Sequence, residues 1–382
     1  MQEKGLGLLL LNRVQIKMTG NFSKKELIRY SRQMSIPEIG KTGQEKLKGS
    51  SVLVVGLGGL GSPAAIYLAS VGIGKLGICD FDSVSLSNIH RQIIYNSQDL
   101  GLKKTAVAGN YLKNLNPDVD IVCHDLKLDS SNAREIIREY DFILDGSDNF
   151  PTRYLVNDAC KLENKINVHA SVFRFDGQLS VFCSKDGPCY RCMFPNPPKP
   201  GSVPSCADAG VVGAHVGIIG SMQALEVIKI ITGLGTPLIG KVLSIDSLDM
   251  EFKTFKLLKD KNCLLCGSDQ KIKELIDYEN FCGSPLGSEL NRVEETTVKE
   301  LFDLRENEVP HDLLDVREEG EILMAKIDGA LWIPMGELVQ RLNELNPGKK
   351  TIVHCKSGAR SANVVSYLKS VGFSDVKNLK GG

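Results

Sequence analysis

Two short cysteine pairs stand out for their spacing. Cys189-Tyr190-Arg191-Cys192 and Cys263-Leu264-Leu265-Cys266 each separate two thiols by two residues. That spacing lets two thiolates share one ion, and two such pairs complete a tetrahedral four-sulfur zinc site. Four protein ligands leave no open position, so zinc there is expected to be structural. A redox C-x-x-C reading competes, but it needs one pair at a strand-to-helix junction, and both pairs here read as loops.

A different cysteine chemistry sits near the end of the chain. Thr351-Ile352-Val353-His354-Cys355 reads as a strand that ends on a thiol, and Lys356-Ser357-Gly358-Ala359-Arg360 leads on to a helix over 362–370. Backbone N–H groups and a helix N-terminus around Cys355 lower a thiol pKa and can hold an anionic persulfide. Tyrosine phosphatases use a related cradle with five residues between Cys and Arg. This chain has four, and the shorter loop suits sulfur better than a phosphate ester. Cys206 follows the proline-rich run from Phe194 to Ser205. A cysteine on such a loop can serve as an acyl acceptor or disulfide partner, or be a structural thiol, and residue types alone leave both readings open. Cys79, Cys123, Cys160, Cys183 and Cys282 lie in apolar or unmarked contexts and read as buried or idle.

The phosphate chemistry lies further upstream. Gly56-Leu57-Gly58-Gly59-Leu60-Gly61 follows a strand and opens a helix, so backbone N–H groups can approach an anion at the helix N-terminus. Asp80 ends the next strand, where a carboxylate can accept from ribose hydroxyls. Alone, these features suit a dinucleotide-dependent oxidoreductase, or merely a tight turn. The run Ser87-Asn88-Ile89-His90-Arg91-Gln92, then Lys104 and Asp148-Asn149, adds the groups a triphosphate needs. Arg91 and Lys104 can pair with phosphates, and Asp148 can hold Mg²⁺. Taken singly, each of these charges is as readily an ordinary surface group.

The elements that must carry these groups alternate. Strands are expected over 51–56, 75–80, 119–123 and 142–145, with helices over 62–71, 103–115 and 133–139. That alternation implies a doubly wound, mostly parallel α/β sheet. A hairpin-like segment follows Asp176, then an apolar stretch over 209–234. His215, Gln223, Glu226 and Lys229 interrupt that stretch, so it reads as a buried core helix rather than a membrane span. Residues 268–293 carry Gly, Ser and Pro with little periodicity and read as a linker. A second α/β unit begins near residue 294, with strands at 312–316 and 351–354. The N-terminal 1–23 reads as an extension without order, with Met18 a plausible start. The chain has 46 basic and 46 acidic residues, which removes the electrostatic footprint of a duplex-nucleic-acid binder. Eleven cysteines, an odd number, fit metal and sulfur chemistry in a reducing compartment, and a cytoplasmic protein without membrane attachment is expected.

The run Arg29-Tyr30-Ser31-Arg32-Gln33, the glycine loop, Asp80-Phe81-Asp82, Ser87 to Gln92 and Asp145-Gly146-Ser147-Asp148-Asn149 together resemble the MoeB/ThiF family over about residues 24–267. Its members are ubiquitin-activating-enzyme-like adenylyltransferases that activate the C-terminal glycine of small sulfur-carrier proteins. The resemblance implies a Rossmann-like adenylation domain with a four-cysteine zinc site. Its ATP site would be lined by Gly56, Gly58, Gly59, Gly61, Asp80, Ser87, Asn88, Ile89, His90, Arg91, Lys104, Asp148 and Asn149. It also implies a homodimer in which Arg32 reaches the phosphates of the neighbouring subunit's nucleotide. The residue types suit that chemistry. A carboxylate attacking the α-phosphate is a meeting of anions, so charge neutralisation by Arg91, Lys104, Arg32 and Mg²⁺ and in-line positioning matter most, and no general base is needed.

From about residue 294, Leu314-Asp315-Val316-Arg317, Gly329-Ala330 and Cys355 to Arg360 resemble a single rhodanese domain, with Cys355 as persulfide carrier. Rhodaneses continue past this Gly381-Gly382 with an aromatic-containing helix, so the domain is expected to be cut short. The spacing of Cys206 matches a catalytic cysteine in relatives that carry such a sulfurtransferase domain. The implied partners are a ubiquitin-like carrier ending in Gly-Gly and a persulfide donor, either a cysteine desulfurase or thiosulfate. Molybdopterin synthesis, thiamine synthesis and tRNA thiolation all remain open. An NAD-dependent oxidoreductase and a non-catalytic carrier scaffold are the alternatives.

Overall fold

The computed structural model describes residues 22–198, 210–283, 293–356 and 358–381. Cys206 therefore lies outside the described residues. These residues form two compact units, one ending at Gly283 and one following it.

In the first unit, the β-branched run Ser51–Val55 (β1) is buried and central. It pairs in parallel with β2 (Lys75–Cys79) on one side and β4 (Phe142–Asp145) on the other. Among the described residues the sheet runs β3 (Asp120–His124), β2, β1, β4, β5 (Ile166–Phe173), β6 (Asp176–Phe182), β7 (Lys241–Asp246), β8 (Glu251–Lys256). The first five strands are parallel and the last three pair antiparallel. The chain winds outward from β1 to β3 and then returns to the other side of β1 at β4. The order reverses between β1 and β4, and there the strand C-termini splay apart to leave a crevice. The expected parallel α/β architecture is thus present.

Helix Gly213–Thr232 is long and apolar enough to cross a membrane by length and composition, yet its buried face packs inside this unit. Buried Gln223 donates from Nε2 to the carbonyl oxygens of Asp145 (2.8 Å) and Val168 (3.1 Å), tying the helix to the ends of β4 and β5. The helix Phe150–Leu162, which the periodicity reading did not anticipate, follows β4 directly and is capped by Asn149 Oδ1, which accepts from the Thr152 N–H at 2.9 Å.

The stretch read as a linker is only partly one. Residues 268–283 belong to the first unit, because the buried Tyr278 hydroxyl donates to Asp158 Oδ2 at 2.8 Å. Asp158 also receives a two-pronged bond from buried Arg191, with Nε at 2.9 Å and Nη2 at 2.7 Å. The Arg191 guanidinium lies over the rings of both Tyr154 and Phe281, which themselves meet edge to face. One carboxylate therefore anchors the first cysteine pair, which stands on the short helix Tyr190–Met193 and not on the expected loop, and the tail of the unit together.

In the second unit, β9 (Glu295–Thr296), β10 (Asp312–Asp315), β11 (Leu331–Trp332), β12 (Thr351–His354) and β13 (Val376–Leu379) form a parallel sheet in the order β11-β10-β12-β13-β9. Its core gathers Leu314, Val316, Ile333, Val353, Val365 and Leu368. Helix Val298–Glu306 starts with a reciprocal cap between Thr297 and Glu300. The fully buried β12 ends where Cys355 begins.

Candidate active sites and metal cluster

The crevice at the β1–β4 reversal is a pocket lined by Gly56, Gly58 and Gly59 from the β1 loop, and by Asp80, Phe81 and Asp82 after β2. Arg91, Lys104, Asp148, Asn149 and Arg153 line it too. Two glycines of this loop are required sterically. Gly56 sits at φ +85°, and a Cβ on Gly61 would lie 1.8 Å from the Gly56 carbonyl oxygen. Gly61 therefore shapes the turn without lining the pocket, and opens the helix Gly61–Ser70.

Asp80 is buried and braces the loop: its Oδ2 accepts from the Leu57 N–H at 2.8 Å and its Oδ1 from the Asp82 N–H at 2.9 Å. Lys104 is also buried, with Nζ 2.9 Å from Asp82 Oδ2 and 3.8 Å from Asp80 Oδ2. Two carboxylates thus hold this cation at the pocket wall. Arg91 is held by its own neighbours, its Nη1 2.7 Å from the Ser87 carbonyl oxygen and 2.8 Å from His90 Nε2. Ser87, Asn88, Ile89 and His90 do not line the pocket themselves; the turn they form carries Arg91. Asp148 and Asn149 stand exposed at the rim. Arg32 is exposed on the short helix Ser31–Met34 and does not line this pocket.

Beneath the rim, Asp145 and His169 form a buried pair, Oδ2 to Nδ1 at 2.8 Å. Burial pushes the Asp145 carboxyl up, but hydrogen bonds from His169 and Ser147 outweigh it and hold the group below its ordinary value. Burial lowers His169, against the pull of Asp145, so its imidazole stays neutral more readily than a free one.

Sequence reasoning missed Arg153, whose guanidinium is buried against this pocket. Its signal, a cation just past the first turn of helix Phe150–Leu162 where the dipole disfavours it, is legible only once that helix is known. Gln92 is likewise buried on the lining, and its Oε1 has no partner.

The four cysteines of the two pairs converge. Their sulfurs lie within 4.8 Å of one another, with Cys189–Cys192 at 3.9 Å, Cys189–Cys263 at 3.6 Å and Cys192–Cys266 at 3.3 Å. The Asp260 N–H donates to Cys192 Sγ at 3.4 Å. This set can hold a metal ion. It is the one such cluster among the described residues.

In the second unit, Cys355 is buried at the strand-to-helix turn. Its Sγ accepts from the Gly358 N–H at 3.2 Å and from the Ser361 hydroxyl at 3.3 Å. Gly358, at φ +88°, turns the chain into helix Ala359–Ser370. Arg360 is bound bidentately to Glu321 at 2.7 and 2.8 Å. Below Cys355, Asp315 takes a two-pronged bond from Arg317 and has His354 Nε2 3.3 Å away, without hydrogen-bond alignment. Burial lowers His354, with Asp315 opposing.

A family model described as the ThiF family matches residues 30–265, and one for a rhodanese-like domain matches residues 297–382. The chain is 41% identical over 377 residues to an adenylyltransferase and sulfurtransferase MOCS3 of Aedes aegypti, across 94% of this chain and 86% of that protein. It is 42% identical to a probable adenylyltransferase/sulfurtransferase MoeZ of Mycobacterium tuberculosis, across 94% of this chain and 92% of the relative. A sulfur carrier protein adenylyltransferase of Thermus thermophilus is 47% identical over 267 residues, 69% of this chain and 98% of its own length. Among solved structures, E. coli MccB with ATP shares the fold, with a TM-score of 0.54 at 23% identity across 63% of this chain and 74% of that one. With its glycine-loop crevice, its four-cysteine cluster and a family match over more than half its length, this chain belongs to the ThiF family of adenylyltransferases, here joined to a rhodanese-like sulfurtransferase domain.

Proposed function

We propose that this enzyme adenylates the C-terminal glycine of a ubiquitin-like sulfur-carrier protein and then converts the acyl adenylate to a thiocarboxylate with sulfur from Cys355. The observation that carries the reading is the crevice itself, which gathers a glycine loop, Asp80, Arg91, Lys104 and the Asp148–Asn149 rim at one strand edge. The names of the relatives divide in step with the two units. The Thermus protein is too short to hold both and is called only an adenylyltransferase, while the relatives matched along nearly the whole chain carry both activities in their names.

In the first step the glycine carboxylate oxygen bonds to the α-phosphorus, the bond to the bridging oxygen breaks, and pyrophosphate leaves. Arg91 and Lys104 face the phosphates, and the glycine amides give the oxyanions donors. Mg²⁺, held at Asp148, would neutralise phosphate charge when bound. Arg32 is assigned to the nucleotide of a second copy, making the active form a homodimer. In the second step the terminal sulfur of a Cys355 persulfide attacks the acyl carbon and AMP leaves, giving an acyl persulfide. A Cys206 thiolate then attacks Cys355 Sγ. The S–S bond breaks, the thiocarboxylate departs, and a Cys206–Cys355 disulfide remains for an external dithiol to reduce. The sulfane sulfur comes from a cysteine-desulfurase persulfide or thiosulfate.

Zinc fits the cysteine cluster. Tetrahedral Zn–S bonds near 2.3 Å put sulfurs about 3.8 Å apart, and the close pairs here range from 3.3 to 3.9 Å. Bound zinc would cross-link the short helix Tyr190–Met193 to the turn of the second pair. The setting proposed is the cytoplasm.

The test is carrier-dependent ATP–pyrophosphate exchange together with the mass of the carrier. A gain of about 16 Da, sulfur for oxygen, is expected from the unsubstituted chain. Cys355→Ala is expected to keep exchange and lose the mass gain. Exchange without any carrier, or nicotinamide reduction in its place, would sink the reading.

A further inference from the structure

Arg153 is only 8% exposed, yet it has no carboxylate partner among the described residues. Its Nε is sealed from solvent with no acceptor. The groups it touches carry no negative charge: the Phe150 ring lies 5.3 Å from the guanidinium carbon, and the Tyr190 phenol is a neutral hydrogen-bond partner. The nearby Asp145 is already occupied by His169 and Ser147. A guanidinium left so is costly unless an anion completes it. The open side of Arg153 is the pocket, so the anion is a ligand.

The sheet order says which one. The pocket wall next to β2 and β3, with Asp80, Phe81, Leu126 and Leu128, offers a carboxylate and apolar surface suited to a nucleoside. The glycine loop after β1 sits beside it, with Arg91 and Lys104 as the phosphate cations. Arg153 and Val172 lie on the opposite side, past β4 and on β5. A nucleophile in line with the leaving pyrophosphate must enter from outside the phosphate chain, and this is the side left. The N-terminus of helix Phe150–Leu162 adds its dipole there.

Resting on the function proposed above, we propose that Arg153 is the receptor for the terminal carboxylate of the incoming carrier. Its planar fork binds that carboxylate, offsets the repulsion between two anions and orients an oxygen toward the α-phosphorus. It is a substrate-binding residue separate from the phosphate cations.

The experiment uses the full chain and a Gly-Gly carrier that supports exchange, prepared with a terminal carboxylate or a carboxamide. Affinity is measured with a non-hydrolysable ATP analogue present. The unsubstituted chain is expected to prefer the carboxylate by about tenfold or more, as charge-assisted hydrogen bonds warrant. Arg153→Gln, or Arg153→Met if the first loses cooperative melting, is expected to abolish that preference. Either variant should change affinity for the ATP analogue alone by less than about twofold. An unsubstituted chain that binds both carriers equally overturns the assignment, and needs no variant. So does a variant that keeps the preference, or one whose nucleotide affinity falls as far as its carrier affinity, which would make Arg153 a phosphate ligand. If no Gly-Gly carrier drives exchange in the unsubstituted chain, the functional reading itself fails, and this assignment with it.

Discussion

At the scale of single residues, the two buried cradles are held by hydrogen bonds that can be removed one at a time. Ser361 is fully buried and its hydroxyl donates to Cys355 Sγ. Ser361→Ala should slow transfer of sulfur from thiosulfate to cyanide by roughly tenfold, the worth of one donor to a developing anion, while ATP–pyrophosphate exchange keeps its rate. Unchanged sulfurtransferase kinetics would show that Gly358 suffices. His169 gives a pH prediction. Its native pKa lies below the ordinary 6.5, so the unfolded chain binds a proton that the native one refuses. Stability is therefore full above that value and falls as pH drops below it, until the native imidazole also protonates. Asp145, lowered too, adds loss only at more acidic pH, below about 4 where free aspartates protonate. His169→Gln should remove up to about 1.4 kcal/mol per pH unit from the slope of unfolding free energy just below pH 6.5, as read by urea titrations of the first unit. An unaltered slope would mean His169 is already charged in the native state.

Elements differ in how much of themselves a sequence reveals. The strand, glycine loop and helix of Ser51–Ser70 were legible because the glycine spacing between strand and helix is itself a short pattern. Only Gly61 answers backbone a few residues away, at Gly56, while Gly56 and Gly59 answer Gly146 and Val216 far along the chain. The two cysteine pairs were legible because metal-ligand spacing is itself a short-range pattern. Helix Phe150–Leu162 was not, since both of its faces are covered and its buried positions include Arg153, Asn157 and Asp158 alongside apolar ones. Polar groups at core positions erase the periodicity that marks a helix. The same interior explains the misread linker. Residues 268–283 show no regular apolar stripe because their anchors are scattered: Ile272, Leu275 and Phe281 pack on the core at irregular spacing, and the Tyr278 hydroxyl bonds to Asp158. Asp158→Asn leaves Arg191 buried without its counter-charge, and should cost about 3–5 kcal/mol. Thermal melting should shift down, and Tyr278 should become accessible to solvent quenching of its fluorescence. A melting point within a degree of the parent would show that the ring contacts of Arg191 suffice.

For the molecule as a whole, the two units carry separate steps that one chain joins. Cleavage at a protease site inserted between residues 284 and 292 should leave pyrophosphate exchange unchanged. Carrier thiolation, measured by mass at micromolar enzyme, should slow at least about tenfold, because tethered groups meet at millimolar effective concentration. An equal rate after cleavage would mean the units find each other without the tether. The switch from parallel to antiparallel pairing in the eight-stranded sheet bears on how the first unit is made. β5 and β6 are joined through Arg174 and Phe175 alone, and β7 and β8 through residues 247–250. In contrast, Val52 of β1 pairs with Phe142 of β4 across ninety residues of chain. Closing the short turns forfeits little entropy, whereas the β1–β4 pairing must await the whole intervening crossover. During refolding, amides of the β5–β6 and β7–β8 hairpins should gain protection from exchange first. The nucleotide crevice, which exists only where β1 and β4 lie side by side, would then be among the last parts to form.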